Sequence, residues 1–232
     1  MNFKYLNKII FAVAVMVLSM NAASLESVCY GTTSNGYLVG GVKLPKSGNN
    51  YITYSHIAYG LGRTYVHSIV RDITVKAYEK LEVEQPKKVF MYAETGFKKG
   101  GLFKPHKTHQ TGLSVDFMTP VTNQKNESVH LPTNPLNKFG YNIEFNGKGE
   151  YENYRIDYEA MAAHIVMLHK ETKSLSYDIW RVIFDPSLQS GLFKTKYKNY
   201  LQSNISFSKK RSWVRHDEHY HIDFSIPCEK LK

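Results

Sequence analysis

Three observations predict an α+β domain built as a small antiparallel sheet with flanking helices and long loops. Helical and strand-like periodicities follow one another as helix, strand, strand, helix, strand, helix, strand. The helical stretches each carry one apolar stripe, so each needs one surface to pack on. The strand-like runs are short, and the stretches between them are rich in Gly, Pro, Asn and Lys, the residues of turns and loops.

The first helix is expected between Thr64 and Leu81, where Val66, Ile69, Val70, Ile73, Ala77 and Leu81 recur at helical spacing among charged residues. Pro86 interrupts that pattern, and Lys88–Tyr92 reads as a strand that runs into a Gly- and Lys-rich loop from Gly96 to Pro105. Gly112 then allows a tight turn into a strand over Leu113–Phe117. Met118 to Tyr154 is polar and reads as a long surface excursion containing at most a hairpin; a loop of that length is more often functional than idle. Asp157 caps a helix running to Glu171, with Ile156, Ala160, Ala163 and Met167 on its apolar stripe. Tyr177–Phe184 is strand-like, Pro186 starts another helix that Gln189–Leu201 continues, and His219–Ile226 alternates as a last strand.

Residues 1–23 have the composition of a secretory signal peptide. Lys4 and Lys8 precede the apolar run Ile9–Met20, and Asn21-Ala22-Ala23-Ser24 supplies small residues for cleavage. The run is short of the roughly 20 residues that span a bilayer, although an uncleaved segment would retain the protein at the membrane. Residues 24–232 are then one exported domain, expected in the periplasm. Its two cysteines, Cys29 and Cys228, stand near opposite ends of that domain, and in an oxidising compartment they are expected to pair.

Formal charge is +10, and loss of Lys4 and Lys8 leaves +8. Such a balance suits anionic envelope polymers. No nucleic-acid partner is expected, because no recognisable binding module or basic stripe with interleaved aromatics is present.

Five of the ten histidines lie in two clusters, His106-Lys107-Thr108-His109 and His216-Asp217-Glu218-His219-Tyr220-His221, and Asp116 follows His109 by seven positions. Imidazole and carboxylate are zinc ligands, and catalytic zinc takes three protein ligands with a fourth position left for water. We read His109, Asp116 and His221 as the ligands of one Zn²⁺. On a strand, His219 and His221 project to the same face, so one can bind metal while its neighbour handles protons. Zinc lowers the pKa of water from about 15.7 to about 7 and polarises a carbonyl under attack. His106 and His216 are left with roles as general acid, oxyanion stabiliser or orienting residue. His56, His67, His130, His164 and His169 have no ligand-like spacing and are read as structural or surface residues.

The stretch His106-Lys107-Thr108-His109-Gln110-Thr111-Gly112-Leu113-Ser114-Val115-Asp116, together with His216–His221, resembles the two signatures of the penicillin-insensitive murein endopeptidases. These belong with the lysostaphin, D-Ala-D-Ala metallopeptidase and hedgehog group of zinc proteins. Ser34-Asn35-Gly36, Val39-Gly40 and Leu44-Pro45 extend the likeness toward the N-terminus. The resemblance implies zinc ligation by His109, Asp116 and His221, a catalytic base at His219, and further active-site histidines at His106 and His216. It also marks two departures. Asp223 stands where the family typically has Arg, and Ser114 where an acidic residue is common.

The expected activity is that of a secreted zinc metallopeptidase cutting peptide cross-links or stems of peptidoglycan, as a D,D- or an L,D-endopeptidase. Two other readings share the residues. One is a non-catalytic, zinc-stabilised cell-wall binding module; the other is the same hydrolase exported as an antibacterial toxin or used by a secretion machine. An unligated His219 beside the metal argues for turnover.

Overall fold

The computed structural model describes residues 26–212 and 214–231, so the expected signal peptide at residues 1–23 lies outside the described residues. The strands are β1 (Val28–Thr32), β2 (Asn35–Val39), β3 (Val42–Lys43), β4 (Tyr51–Thr53), β5 (Tyr65–Val66), β6 (Phe90–Tyr92), β7 (Ser114–Met118), β8 (Val121–Thr122), β9 (Ser128–Val129), β10 (Glu150–Tyr151), β11 (Tyr154–Ile156), β12 (Asp178–Ile183) and β13 (His219–Ser225). The α-helices are α1 (His56–Gly60), α2 (Ser68–Glu84), α3 (Tyr158–Ser174), α4 (Gln189–Leu192) and α5 (Lys198–Asn204).

The fold is α+β. Its central sheet has the order β12-β13-β7-β6-β4, and every neighbouring pair is antiparallel except β4 with β6. The expected antiparallel sheet therefore gains one parallel edge. A parallel pair needs a crossover, and the chain between β4 and β6 supplies one through α2.

Two-residue periodicity divides the middle of this sheet into two functions. Val115 and Phe117 of β7 and Tyr220, Ile222 and Phe224 of β13 are buried apolar residues. Phe117 and Tyr220 meet His164 of α3, so this face packs on the helices. The opposite face carries Ser114 and Asp116 on β7 and His219, His221 and Asp223 on β13, all of them buried. Helix α2 buries Val70, Ile73, Ala77, Tyr78 and Leu81 along one stripe, and large side chains such as Tyr78 and Leu81 each contribute about 1.5–3 kcal/mol by leaving water.

His164 has the structural role expected of it. It bonds the Tyr220 hydroxyl and stacks on Tyr78 with ring centroids 4.8 Å apart. Burial pushes its pKa down to about 3, which keeps the ring neutral inside the core. His67 caps α2, accepting from the Ile69 amide, and His169 bonds Tyr200 and Asp178.

Three expectations need correction. The first helix starts at Ser68, because Thr64–Val66 is extended and Tyr65–Val66 pairs with β3. The helix expected from Pro186 through Leu201 is two short helices, α4 and α5; between them the Thr195 hydroxyl donates to the Leu192 carbonyl and accepts from the Tyr197 amide, local bonds that compete with helix. The polar stretch from Met118 to Tyr154 holds much more than a hairpin. It contributes a four-stranded sheet of order β10-β11-β8-β9, and it buries Val121, Leu131, Ile143 and Phe145. Its few apolar residues are spaced too irregularly to show a period, yet they suffice to anchor the excursion over the sheet.

The N-terminal hairpin β1/β2 braces the loop that bears the first histidine cluster. Thr33 accepts from the Gln110 amide through its carbonyl, and the Gln110 side chain donates to the Ser34 carbonyl. Close approach explains two of the glycines here. A Cβ on Gly100 would lie 2.0 Å from the Gln110 carbonyl oxygen, and one on Gly112, at φ +70°, would lie 2.6 Å from the His67 nitrogen. The hairpin is in turn tied to the C-terminal tail. Cys29 and Cys228 form the expected disulfide, closing a separation of 199 residues, and Glu229 exchanges backbone bonds with Gly31 and Cys29.

Replacing both cysteines by serine should lower the unfolding free energy by about 2–5 kcal/mol, the loss expected for a bond that closes so long a loop. Chemical denaturation with an unchanged midpoint in the double variant would show that the tail docks without the bond.

Candidate metal centre

The centre is assembled on the non-helical face of the sheet. Asp116 of β7 and His221 of β13 are directly opposed in the ladder, and His219 lies two residues from His221 opposite Met118. Strand alternation turns all three to one side. His109 is placed by a loop residue with φ 69°, a left-handed conformation that costs an L residue energy of order 1 kcal/mol. Its surroundings hold it there: the ring Nδ1 donates to the Thr95 carbonyl at 3.2 Å, which aims Nε2 at Asp116.

Asp116 is fully buried and is approached by four histidines. His221 Nδ1 lies 2.7 Å from Oδ1. Around Oδ2 stand His109 Nε2 at 3.4 Å, His106 Nδ1 at 3.8 Å and His219 Nε2 at 3.9 Å. Asp116 Oδ2 and His109 Nε2 are both buried without a hydrogen-bond partner. Two such atoms left unsatisfied cost free energy, of order 1–3 kcal/mol each. Their separation fits a shared ion, since zinc bonds of about 2.0–2.2 Å at the tetrahedral angle set two ligand atoms about 3.3–3.5 Å apart. His106, His109 and Asp116 together form a group able to hold a metal ion, with ligand atoms within 4.8 Å of one another. The donor set therefore fits the metal that the sequence leads one to expect.

Every histidine of the site is held by a partner other than Asp116, and His221 is bonded at both nitrogens. His219 Nδ1 is 2.7 Å from Glu218 Oε1, and His221 Nε2 is 2.9 Å from Asp223 Oδ1. His106 Nε2 lies 2.6 Å from Glu94 Oε2 and 3.1 Å from the Tyr141 hydroxyl. His216 Nδ1 donates to the Val214 carbonyl at 2.9 Å. The rings of His216 and His219 are 4.7 Å apart.

The electrostatics follow from burial set against these partners. Burial opposes charge on Asp116, but His109 and His219 outweigh it and hold the carboxyl well below its usual range. Burial likewise opposes charging of His219, and Glu218 with Asp116 overcomes it, raising the pKa to about 9. For His221 burial is overcome by Asp223 and Asp116, raising it to about 10. For His216 the pull of Asp116 is too weak to offset burial. Burial, reinforced by His219, pushes it down to about 3, so its free nitrogen is an acceptor at neutral pH. Burial opposes ionisation of Glu94, but His106 and Arg63 hold it down to about 2.

All six sequence-predicted residues meet here. His106, His216, His219 and His221 line one cleft with Lys107, Thr108, Arg181, Ile183, Ser212 and Val214, while His109 and Asp116 lie fully buried beside them. The third member of the geometric metal group is His106, whereas the expected third ligand was His221, which bonds the other oxygen of Asp116. Sequence reasoning missed Glu94, Tyr141 and the part played by Glu218. Glu218 stood inside a quoted cluster, but Glu94 and Tyr141 come from segments with no motif spacing to mark them. Tyr141 arrives from the excursion, whose Phe145 amide donates to Asp217 of the second histidine cluster at 2.7 Å.

No curated protein matches the chain as an individual sequence. The family model described as penicillin-insensitive murein endopeptidase matches residues 29–232, a span that contains the hairpin, both histidine clusters and the disulfide. With the site's residues in place across that span, the chain belongs to the penicillin-insensitive murein endopeptidase family.

Proposed function

We propose that this protein is a zinc-dependent peptidoglycan endopeptidase of the periplasm, exported by its N-terminal segment, that hydrolyses D,D- or L,D-amide bonds in peptide cross-links or stems. The observation that carries the reading is the pair of orphaned buried atoms, Asp116 Oδ2 and His109 Nε2, at 3.4 Å. His109, Asp116 and His221 would hold the ion. His221 is favoured over His106 as the third ligand because it is on a central strand directly opposite Asp116, and the resemblance assigns it that role. His106 sits on a loop rather than on a strand of the sheet.

When bound there, zinc supplies Lewis acidity, acidifying water and polarising the scissile carbonyl. The chain's own residues manage the protons and the substrate. His219 Nε2 is the group placed to take a proton from the attacking water, while Glu218 on Nδ1 holds the ring and stabilises the imidazolium that forms. Against the effect of burial, Glu218 and Asp116 raise the His219 pKa to about 9, and a dication held at Asp116 would lower it again and favour the basic form of the ring. His216 presents an acceptor nitrogen to the same cleft. His106 and Tyr141 are neighbours 3.1 Å apart beside Asp116, with His106 Nδ1 3.8 Å from Oδ2, and they are the groups we assign to meet charge developing on the amide oxygen.

Zinc content of purified variants distinguishes the two ligand sets. His109→Ala, Asp116→Ala and His221→Ala should each lose most of the one zinc per chain, and His106→Ala should keep it. Retention of full zinc by His221→Ala with loss in His106→Ala would replace the proposed third ligand.

Digestion of purified muropeptides followed by mass spectrometry tests the reaction. The zinc-loaded protein should release defined fragments whose masses identify the bond, and a chelator should stop it. His219→Ala should keep its zinc and lower the rate by about 10²-fold or more. No hydrolysis of any fragment by the zinc-loaded wild type would reject the enzyme in favour of a binding module.

A further inference from the structure

The register of the central sheet lays two rows of side chains abreast on the face that carries the site. One row is Ile183, His221 and Asp116 across β12, β13 and β7; the next is Arg181, Asp223 and Ser114. The second row is two residues along each strand from the first, so it points to the same side. Asp223 at its centre has no exposed surface. Its Oδ1 accepts from Ser114 Oγ at 2.5 Å and from His221 Nε2 at 2.9 Å, and its Oδ2 accepts from Arg181 Nε at 2.6 Å. A β-bulge between Ile179 and Arg181 sets β12 in the register that brings Arg181 opposite Asp223.

We propose that Asp223 is a positioning residue for the metal centre. By accepting the Nε2–H of His221 it fixes the ring plane and leaves Nδ1, on the Asp116 side, as the coordinating nitrogen. Arg181 and Ser114 hold the carboxylate in place and compensate its buried charge, which alone would be costly. The pairing meets a general requirement of metal-bound histidines, whose second nitrogen is held by a carboxylate or carbonyl. It also gives chemical sense to the two departures in this chain. The acid of the row sits on β13 at position 223, its cation comes from the neighbouring strand β12, and position 114 needs only a hydroxyl. The inference rests on His221 being a ligand.

Chelator competition measures the zinc affinity of wild type, Asp223→Asn, Asp223→Ala and His221→Ala, with folding followed by circular dichroism. Asp223→Ala should bind zinc about 10–100-fold more weakly than wild type. Asp223→Asn, which keeps an acceptor without the charge, should fall between the two, and the ¹⁵N shifts of His221 in the zinc-loaded protein should move in both variants. If the Arg181–Asp223 pair served only the sheet, Asp223→Ala would lose thermal stability while its folded fraction bound zinc within twofold of wild type; that result overturns the proposal. Should Asp223→Ala fail to fold, wild-type affinity and unmoved His221 shifts in Asp223→Asn overturn it equally. Failure of the ligand assignment itself is seen separately, as wild-type zinc affinity in His221→Ala.

Discussion

Asp116 is a carboxylate with no exposed surface, and the rest of the structure answers to the cost of burying its charge. Removing a carboxylate from water costs several kcal/mol unless partners repay it. Here four histidines converge on its two oxygens, and one oxygen is still left without a hydrogen bond. An ensemble of imidazoles around a half-satisfied carboxylate is a poor way to stabilise a core. It suits a cation site, because a bound ion would satisfy both orphaned atoms, Asp116 Oδ2 and His109 Nε2.

The remaining architecture holds His106, His109 and His219 at 3.8, 3.4 and 3.9 Å from one carboxylate oxygen, while His221 bonds the other at 2.7 Å. Thr95, Glu94, Val214, Glu218 and Asp223 each take one ring nitrogen of a histidine, so the other nitrogen is aimed by default. The sheet supplies the register, and the helices behind it seal the opposite face through Phe117, Tyr220 and His164. A slip of one residue between β7 and β13 would turn Asp116 or His221 into that apolar layer. The loop carrying His109 is less regular, and it is held from outside by the N-terminal hairpin that the disulfide ties down. A bond of this kind persists in oxidising compartments.

Much of this is legible in the sequence. Histidine spacing marks the cluster residues because so many imidazoles in two short runs are unusual, and α3 is readable from the Asp157 cap and its apolar period. The short strands β1–β5 escaped because two to five residues are too few for a period to declare itself. The excursion misled for another reason: its core contribution comes from isolated residues such as Leu131 and Phe145, whose burial depends on the tertiary fold. Glu94 and Tyr141 were invisible for the same cause. Each has an ordinary local sequence and acquires its role only from what packs opposite it. Asp223 is intermediate, since comparison with the family's pattern flagged it as a departure, but only the cross-strand row with Arg181 and Ser114 shows what it does.

We propose that His109, Asp116 and His221 form one three-ligand zinc site. Anomalous diffraction at the zinc edge from crystals of the zinc-loaded protein tests it most directly. The account predicts one peak at bonding distance from His109 Nε2, Asp116 and His221 Nδ1, with His106 and His219 outside that distance and His221 Nε2 still on Asp223. A peak bonded by His106, His109 and Asp116 while His221 keeps its hydrogen bond to Asp116, or no peak beside Asp116, would contradict it.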